Sequence, residues 1–328
     1  MSEITHEISL DNFHHQITWS IQNYCSHGLN SSAFNNVVIG GLGGSGIGGR
    51  IARLATINQF PLPIEVFSAY NLPAYANEKT LVILCSYSGN TEETLAMYRE
   101  AKTKGCTMIC LASGGKIMQQ AQEDNIPCYK IETGYQPRMT LGYSLSTLLL
   151  ILSDLIGIDV KNKLSNTANL LTKNDGLKDE ANDIINVFRQ TISDKFVVIC
   201  DPDFEAIAIR FCQQIQENAK GEAFITVLPE ANHNVIESYQ DTQNTNFILL
   251  NSGNNSRTNL RFQFLKSLLE EQNNRIYTFA ESGSDIQRLF EVIHILDWVS
   301  IYASNLRNAD NMHVHIIMRL KGFLDSIK

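Results

Sequence analysis

Gly40-Gly41-Leu42-Gly43-Gly44-Ser45-Gly46-Ile47-Gly48-Gly49 stands where an apolar segment, residues 36–39, gives way to a helical pattern. Glycines at a strand-to-helix turn let backbone N–H groups converge, and a helix start favours negative charge. A second segment of this kind, Ser86-Tyr87-Ser88-Gly89-Asn90-Thr91-Glu92-Glu93-Thr94, follows the apolar run 80–85 and precedes the next helical pattern. Two such anion cradles in one domain point to a ligand that carries a phosphate. Neither segment contains a lysine, so neutral donors rather than a P-loop lysine are expected to hold the anion.

Outward from these segments the pattern alternates. Strands are expected at 36–40, 64–68, 81–86, 107–112 and 127–132, with helices at 48–57, 92–104 and 116–124 and a leading helix over 8–33. Apolar strands alternating with helices imply a parallel sheet covered on both faces. A loop, Gly134-Tyr135-Gln136-Pro137-Arg138-Met139-Thr140, leads into long helical patterns over 141–156 and 163–190. The alternation then restarts, with strands at 196–200, 223–227, 246–250 and 275–279 and helices at 204–218, 235–239, 260–272, 286–304 and 311–323. The fold class is α/β: two doubly wound parallel-sheet domains with linking helices. We place the first domain at 1–155 and the second, with its linking helix, at 156–328, and expect a ligand cleft between them.

Composition narrows the function. The chain has 328 residues, 44% hydrophobic and 18% charged, with a net charge of −8. No basic block is present, which argues against nucleic acid or an anionic membrane as a partner. The start of the chain lacks a signal-peptide pattern, and the apolar run 145–151 is far too short to span a bilayer. A cytoplasmic protein is expected. Its seven cysteines, Cys25, Cys85, Cys106, Cys110, Cys128, Cys200 and Cys212, form no C-x-x-C pair and read as reduced thiols.

Gly-Gly-Ser-Gly followed by Ser-Tyr-Ser-Gly-Asn-Thr-x-Glu-Thr resembles the phosphate-binding pattern of sugar isomerase (SIS) domains. Two such domains in one chain are similar to the bifunctional phosphoglucose/phosphomannose isomerases. Tyr135-Gln136-Pro137-Arg138, Gln216-Glu217-Asn218-Ala219-Lys220 and Leu228-Pro229-Glu230-Ala231-Asn232-His233-Asn234 extend the resemblance over most of the chain. It implies that Gly44, Ser45, Ser86, Ser88 and Thr91 hold the phosphate of a hexose phosphate, and that Arg138 lies near C1 and C2. It further implies that Glu217 is the base moving a proton between these carbons. His233 would open the sugar ring, reaching the site across a homodimer interface, and Lys321 would assist. The implied reaction interconverts fructose 6-phosphate with glucose 6-phosphate and mannose 6-phosphate. The text Asn311-Met312-His313 departs from the family, which often has Thr or Pro there.

The residues themselves suit that chemistry. Aldose–ketose isomerisation needs an anchor, a base, a ring-opening group and a cation beside the enediolate. Fixing the phosphate can contribute about 7–11 kcal/mol in favourable cases. Ser86, Ser88 and Thr91 could also cap the helix expected near Glu92, a role compatible with phosphate binding because each uses only some of the donors. Glu217 is expected near a helix C-terminus, with Gly221 as the stop; a carboxylate there opposes the helix dipole, a local conflict of the kind that marks functional groups. His233 is expected just ahead of a short helix capped by Asn232. Arg138 cannot lose its proton and so can stabilise an enediolate without competing as an acid. Lys321 is also where the dipole alone would favour a lysine.

No cofactor or metal is expected. His313 and His315, two apart, should diverge on a helix, as should the adjacent His14 and His15. Two rival readings exist. Gly41-Leu42-Gly43-Gly44-Ser45-Gly46 satisfies the dinucleotide fingerprint, with Glu65 about twenty residues on, but that fingerprint leaves Ser86–Thr91 without a role. A non-catalytic SIS module that senses a sugar phosphate would leave Glu217 and His233 surplus.

Overall fold

Residues 4–173 and 175–327 are described in the computed structural model of the protein. They divide into two compact units, the first built on Ile8–Gly176 with Ser282–Ile293, the second on Leu177–Glu281 with Thr5–Glu7 and His294–Lys328.

The first unit runs α1 (His6–Asp11, entering from the second unit's segment), α2 (Phe13–Asn23), β1 (Asn36–Gly40), α3 (Gly43–Thr56), β2 (Ile64–Phe67), β3 (Thr80–Cys85), α4 (Glu92–Thr103), β4 (Thr107–Ala112), α5 (Gly115–Glu123), β5 (Cys128–Lys130), α6 (Leu141–Leu155) and α7 (Lys161–Leu171). Its five strands are parallel in the order β2-β1-β3-β4-β5. The register sets Ile39 beside Val66 on one side and Ile83 on the other. Every residue of β3 is buried, as a central strand covered on both faces should be. On one face Val82, Leu84, Tyr98 and Ile117 join a single apolar cluster. Helix α6 is buried at every position but Asp154 and packs against both α2 and α3. A helix apolar on all sides belongs in such an interior position.

Local structure departs from expectation at several element ends, three of them before the second sheet. The leading helix breaks into α1 and α2 and ends at Asn23, short of residue 33. The pattern over 163–190 is two helices, the first ending at Leu171 and the next starting at Asp175. Helix α3 starts at Gly43, five residues early, and carries its glycines inside it. Glycine is a poor helix former, but here side chains are sterically excluded. A Cβ on Gly44 would lie 2.8 Å from the Pro137 carbonyl oxygen and 3.1 Å from Arg138 Cα.

The second unit runs α8 (Asp175–Phe188), β6 (Lys195–Cys200), α9 (Glu205–Gln214), β7 (Ala223–Val227), β8 (Thr245–Leu250), α10 (Ser256–Glu271), β9 (Arg275–Thr278), α11 (Ile286–Leu306, whose first residues belong to the first unit) and α12 (His315–Asp325). Its four strands are parallel in the order β7-β6-β8-β9. Phe247, Leu249, Phe262 and Leu265 lie in its core cluster. Arg210 on α9 and Asp297 on α11 form a buried bidentate ion pair at 3.0 and 2.6 Å. Among the described residues no helix is long and apolar enough to cross a membrane.

Candidate active site

In an open parallel sheet, ligands bind beyond the carboxyl ends of the strands, where the winding reverses. In the first unit that point lies between β1 and β3. The glycine loop leaves the end of β1, and Ser86–Thr91 leaves the end of β3. The strand order therefore brings both expected anion cradles to one place. It is not the 3-2-1-4-5-6 order of dinucleotide-binding folds, and Glu65 sits inside β2 rather than at its end.

The two loops are bonded together. The backbone N–H of Tyr87 donates to Ser45 Oγ at 3.1 Å. Ser86 is buried, and its hydroxyl lies 2.8 Å from that of Thr91. Thr91 occupies the N-cap position of α4 but makes no side-chain capping bond. Its hydroxyl is thus not used for capping. Ser88 is exposed, and its Oγ accepts the Asn90 N–H at 3.2 Å. Gly89 has φ +68°, and a Cβ there would lie 1.8 Å from the Gly114 carbonyl oxygen.

Arg138 is buried in a 3₁₀ turn, Pro137–Met139, whose backbone abuts Gly44. Gln16 and Ser9 both donate to the Met139 carbonyl, at 2.8 and 3.0 Å, holding this turn from α2 and α1. Gly44, Ser45, Ser86, Ser88, Thr91 and the Arg138 backbone therefore belong to one corner of the first unit. Sequence reasoning passed over Tyr87, which organises that corner. Its ring is buried, its hydroxyl donates to the Glu132 carbonyl at 3.1 Å, and it accepts the Tyr135 N–H at 3.1 Å. Burial pushes its pKa up. The available signal was its place inside the Ser-Tyr-Ser motif.

In the second unit, α9 does not stop cleanly. It widens into a π turn, Ile215–Ala219, that contains Glu217. Such turns shift the following side chains out of α register and recur at functional sites. Glu217 is half-buried. Its neighbours are fixed: Asn218 donates to Ser300 Oγ at 3.0 Å, Gln216 to the Ala223 carbonyl at 2.9 Å, and Arg307 to the Ala219 carbonyl at 2.8 Å. The left-handed residue that ends the helix is Lys220, φ +54°, not the expected Gly221. Lys220 Nζ donates to the Glu217 carbonyl and, at 2.7 Å, to that of His313.

His233 ends a 3₁₀ turn, Glu230–His233, and the short helix expected after it is a second 3₁₀ turn, Val235–Ser238. The next turn is capped by Asn234, whose side chain accepts the Val235 N–H, while Asn232 accepts from Arg261 at 3.1 Å. Its ring is exposed, as is Lys321 on α12. Neither side chain is bonded to Glu217 among the described residues.

The second unit's own reversal point, between β6 and β8, is filled from within. The Ser252 N–H, at 2.8 Å, and hydroxyl, at 2.5 Å, both donate to Asp201 Oδ2. A carboxylate of the chain takes donors of the type that grip a phosphate, so the open anion cradle belongs to the first unit.

Comparison with known proteins identifies the family and the fold. Residues 179–324 match the family model of the bacterial phospho-glucose isomerase C-terminal SIS domain. The chain is 32% identical over 319 residues to the bifunctional phosphoglucose/phosphomannose isomerase of Aquifex aeolicus, covering 95% of this chain and 96% of that one. It is 34% identical over 328 residues to the protein of that name from Caldicellulosiruptor bescii, at the same coverage of 95% and 96%. The C-terminal domain of glucosamine-fructose-6-phosphate aminotransferase from Francisella tularensis superposes with a TM-score of 0.71 at 13% identity, covering 95% of this chain and 99% of that one. Both units are thus doubly wound SIS-type domains, and the chain is an isomerase that belongs to the bifunctional phosphoglucose/phosphomannose isomerase family.

Proposed function

We propose that the enzyme interconverts fructose 6-phosphate with glucose 6-phosphate and with mannose 6-phosphate through one enediolate. The observation that carries this reading is the pair of loops joined by the Tyr87–Ser45 hydrogen bond at the reversal point of the first sheet. Gly44, Ser45, Ser86, Ser88 and Thr91 hold the phosphate there through N–H and hydroxyl donors. Glu217 takes the proton from C2 of the aldose and returns it to C1 while the O2 hydroxyl proton passes to O1, so the carbonyl moves from C1 to C2 without any external oxidant. Glucose and mannose 6-phosphate differ only at C2, so return of the proton to opposite faces of the same enediolate yields either sugar. Arg138 balances the enediolate charge. His233 moves protons during ring opening, and Lys321 assists. The run of exposed apolar side chains on and after α12, from Ile316, Ile317 and Met318 through Leu320, Phe323 and Leu324 to Ile327, supports a homodimer in which His233 serves the partner's site. The enzyme works in the cytoplasm, where its seven unpaired cysteines persist as thiols.

A coupled assay with fructose 6-phosphate tests this directly. Formation of both glucose 6-phosphate and mannose 6-phosphate by pure protein is expected. Tight binding without any conversion would leave a sugar-phosphate sensor instead.

A further inference from the structure

We propose that Asp310, His313 and His315 form a binding site for a divalent transition-metal ion of the zinc class. Read as helix, the sequence sends these imidazoles apart. The structure does otherwise, because α12 begins only at His315 and Val314, with φ −120° and ψ 62°, is not helical. The two rings stack instead, 5.5 Å apart and 10° from parallel. His313 Nδ1 lies 2.8 Å from Asp310 Oδ2, and His315 Nε2 lies 3.9 Å from that oxygen. One ligand atom from each of the three residues falls within 4.8 Å of the others.

The carboxylate is fixed before any ion arrives. Asp310 Oδ1 accepts the N–H groups of Met312 at 2.8 Å and His313 at 3.1 Å. A tetrahedral ion with bonds of about 2.0–2.1 Å separates its ligand atoms by about 3.3 Å. The two distances to Asp310 Oδ2, 2.8 and 3.9 Å, bracket that value, and rotation of the two exposed imidazoles brings their nitrogens to the ion. Two imidazoles and one carboxylate suit Zn²⁺, Ni²⁺, Co²⁺ or Cu²⁺ and not the hard cations Mg²⁺ or Ca²⁺. Water completes the exposed face. The His313 carbonyl is held by Lys220 Nζ, so an ion here ties the start of α12 to the turn behind Glu217.

Isothermal titration of the full chain with Zn²⁺ tests the site. One ion per chain at a Kd of about 10 µM is expected. His315→Ala and His313→Ala should each weaken binding about tenfold or more, and Mg²⁺ should not compete. Co²⁺ should give a visible ligand-field spectrum without the charge-transfer band that thiolate ligation at exposed Cys25 produces. Amide exchange over 312–318 should slow when Zn²⁺ is added to the wild type and not to the double variant. Identical Zn²⁺ titrations of wild type and His313→Ala/His315→Ala, or no Zn²⁺ bound in this range, overturn the proposal. None of these measurements reads catalysis, so they stand apart from the isomerase assay.

Discussion

The backbone N–H of Tyr87 donates to the hydroxyl of Ser45 across 3.1 Å, forty-two residues apart in sequence. That bond fastens the loop after β3 to the loop after β1. Removing the hydroxyl therefore does two things. It deletes the hydroxyl proposed to hold phosphate and leaves the Tyr87 N–H without this acceptor, at a cost of about 1–3 kcal/mol where water cannot replace it. Ser45→Ala should raise KM for fructose 6-phosphate about tenfold or more while kcat at saturation falls much less. Inorganic phosphate should weaken in parallel as a competitive inhibitor. Unchanged inhibition by phosphate would place the anion elsewhere.

Gly89 and Gly105 share φ +68° but not their surroundings. Nothing lies within 4 Å of a Cβ on Gly105, whereas one on Gly89 would sit 1.8 Å from the Gly114 carbonyl oxygen. Left-handed backbone alone costs a non-glycine residue about 1–2 kcal/mol. Gly105→Ala should lose about that much in denaturant unfolding. Gly89→Ala should lose more than about 3 kcal/mol, because backbone must move, and should forfeit phosphate binding as well. Equal losses would mean that the loops do not touch as described.

Glu217→Gln keeps the shape of the π turn and removes the basic oxygen. Its neighbours Gln216, Asn218 and Ala219 are all held by other groups, so the fold should tolerate the change. Isomerisation should fall by about 10³-fold or more, within the range that proton-transfer catalysis and positioning supply together. Exchange of the C2 hydrogen with solvent should vanish while binding of fructose 6-phosphate stays within a few-fold of wild type. His233→Ala should slow the cyclic sugar more than an open-chain analogue. Persistent C2 exchange in Glu217→Gln would remove that residue from the base role.

Much of this was legible in the sequence because the relevant forces are local. Strand β1 ends where the glycines begin, and β3 ends where the hydroxyls begin; apolar runs and turn residues encode both. The starts and ends of helices were read less well. Helix α3 begins at Gly43 against propensity because Gly44 meets the Pro137–Arg138 backbone, a contact ninety-three residues distant that no local window contains. Lys220 takes the left-handed position in place of Gly221, where its ammonium reaches the carbonyls of Glu217 and His313. His313 and His315 come together because Val314 interrupts a helix whose periodicity, on paper, runs straight through. In each case a tertiary contact or a cap overrode the local pattern.

The buried pair Arg210–Asp297 gives a test of the second unit that is independent of catalysis. Both side chains are almost fully excluded from water, and the guanidinium meets the carboxylate through two bonds, at 3.0 and 2.6 Å. Removing one partner strands the other charge in the interior, which typically costs about 3–5 kcal/mol. Replacing both with apolar groups of similar volume removes the desolvation cost along with the attraction, and is often neutral or stabilising. Asp297→Leu alone should therefore lower the unfolding midpoint sharply, and Arg210→Met alone should do the same. The double variant Arg210→Met/Asp297→Leu should recover part of that loss, the remainder reflecting buried Gln214, which also bonds to the Asp297 carboxylate. A double-mutant cycle from urea unfolding measures it, with a coupling energy well above the 0–1 kcal/mol typical of surface pairs. Simple additivity of the two losses would show that the pair does not act as a unit joining α9, which leads into the Glu217 turn, to α11.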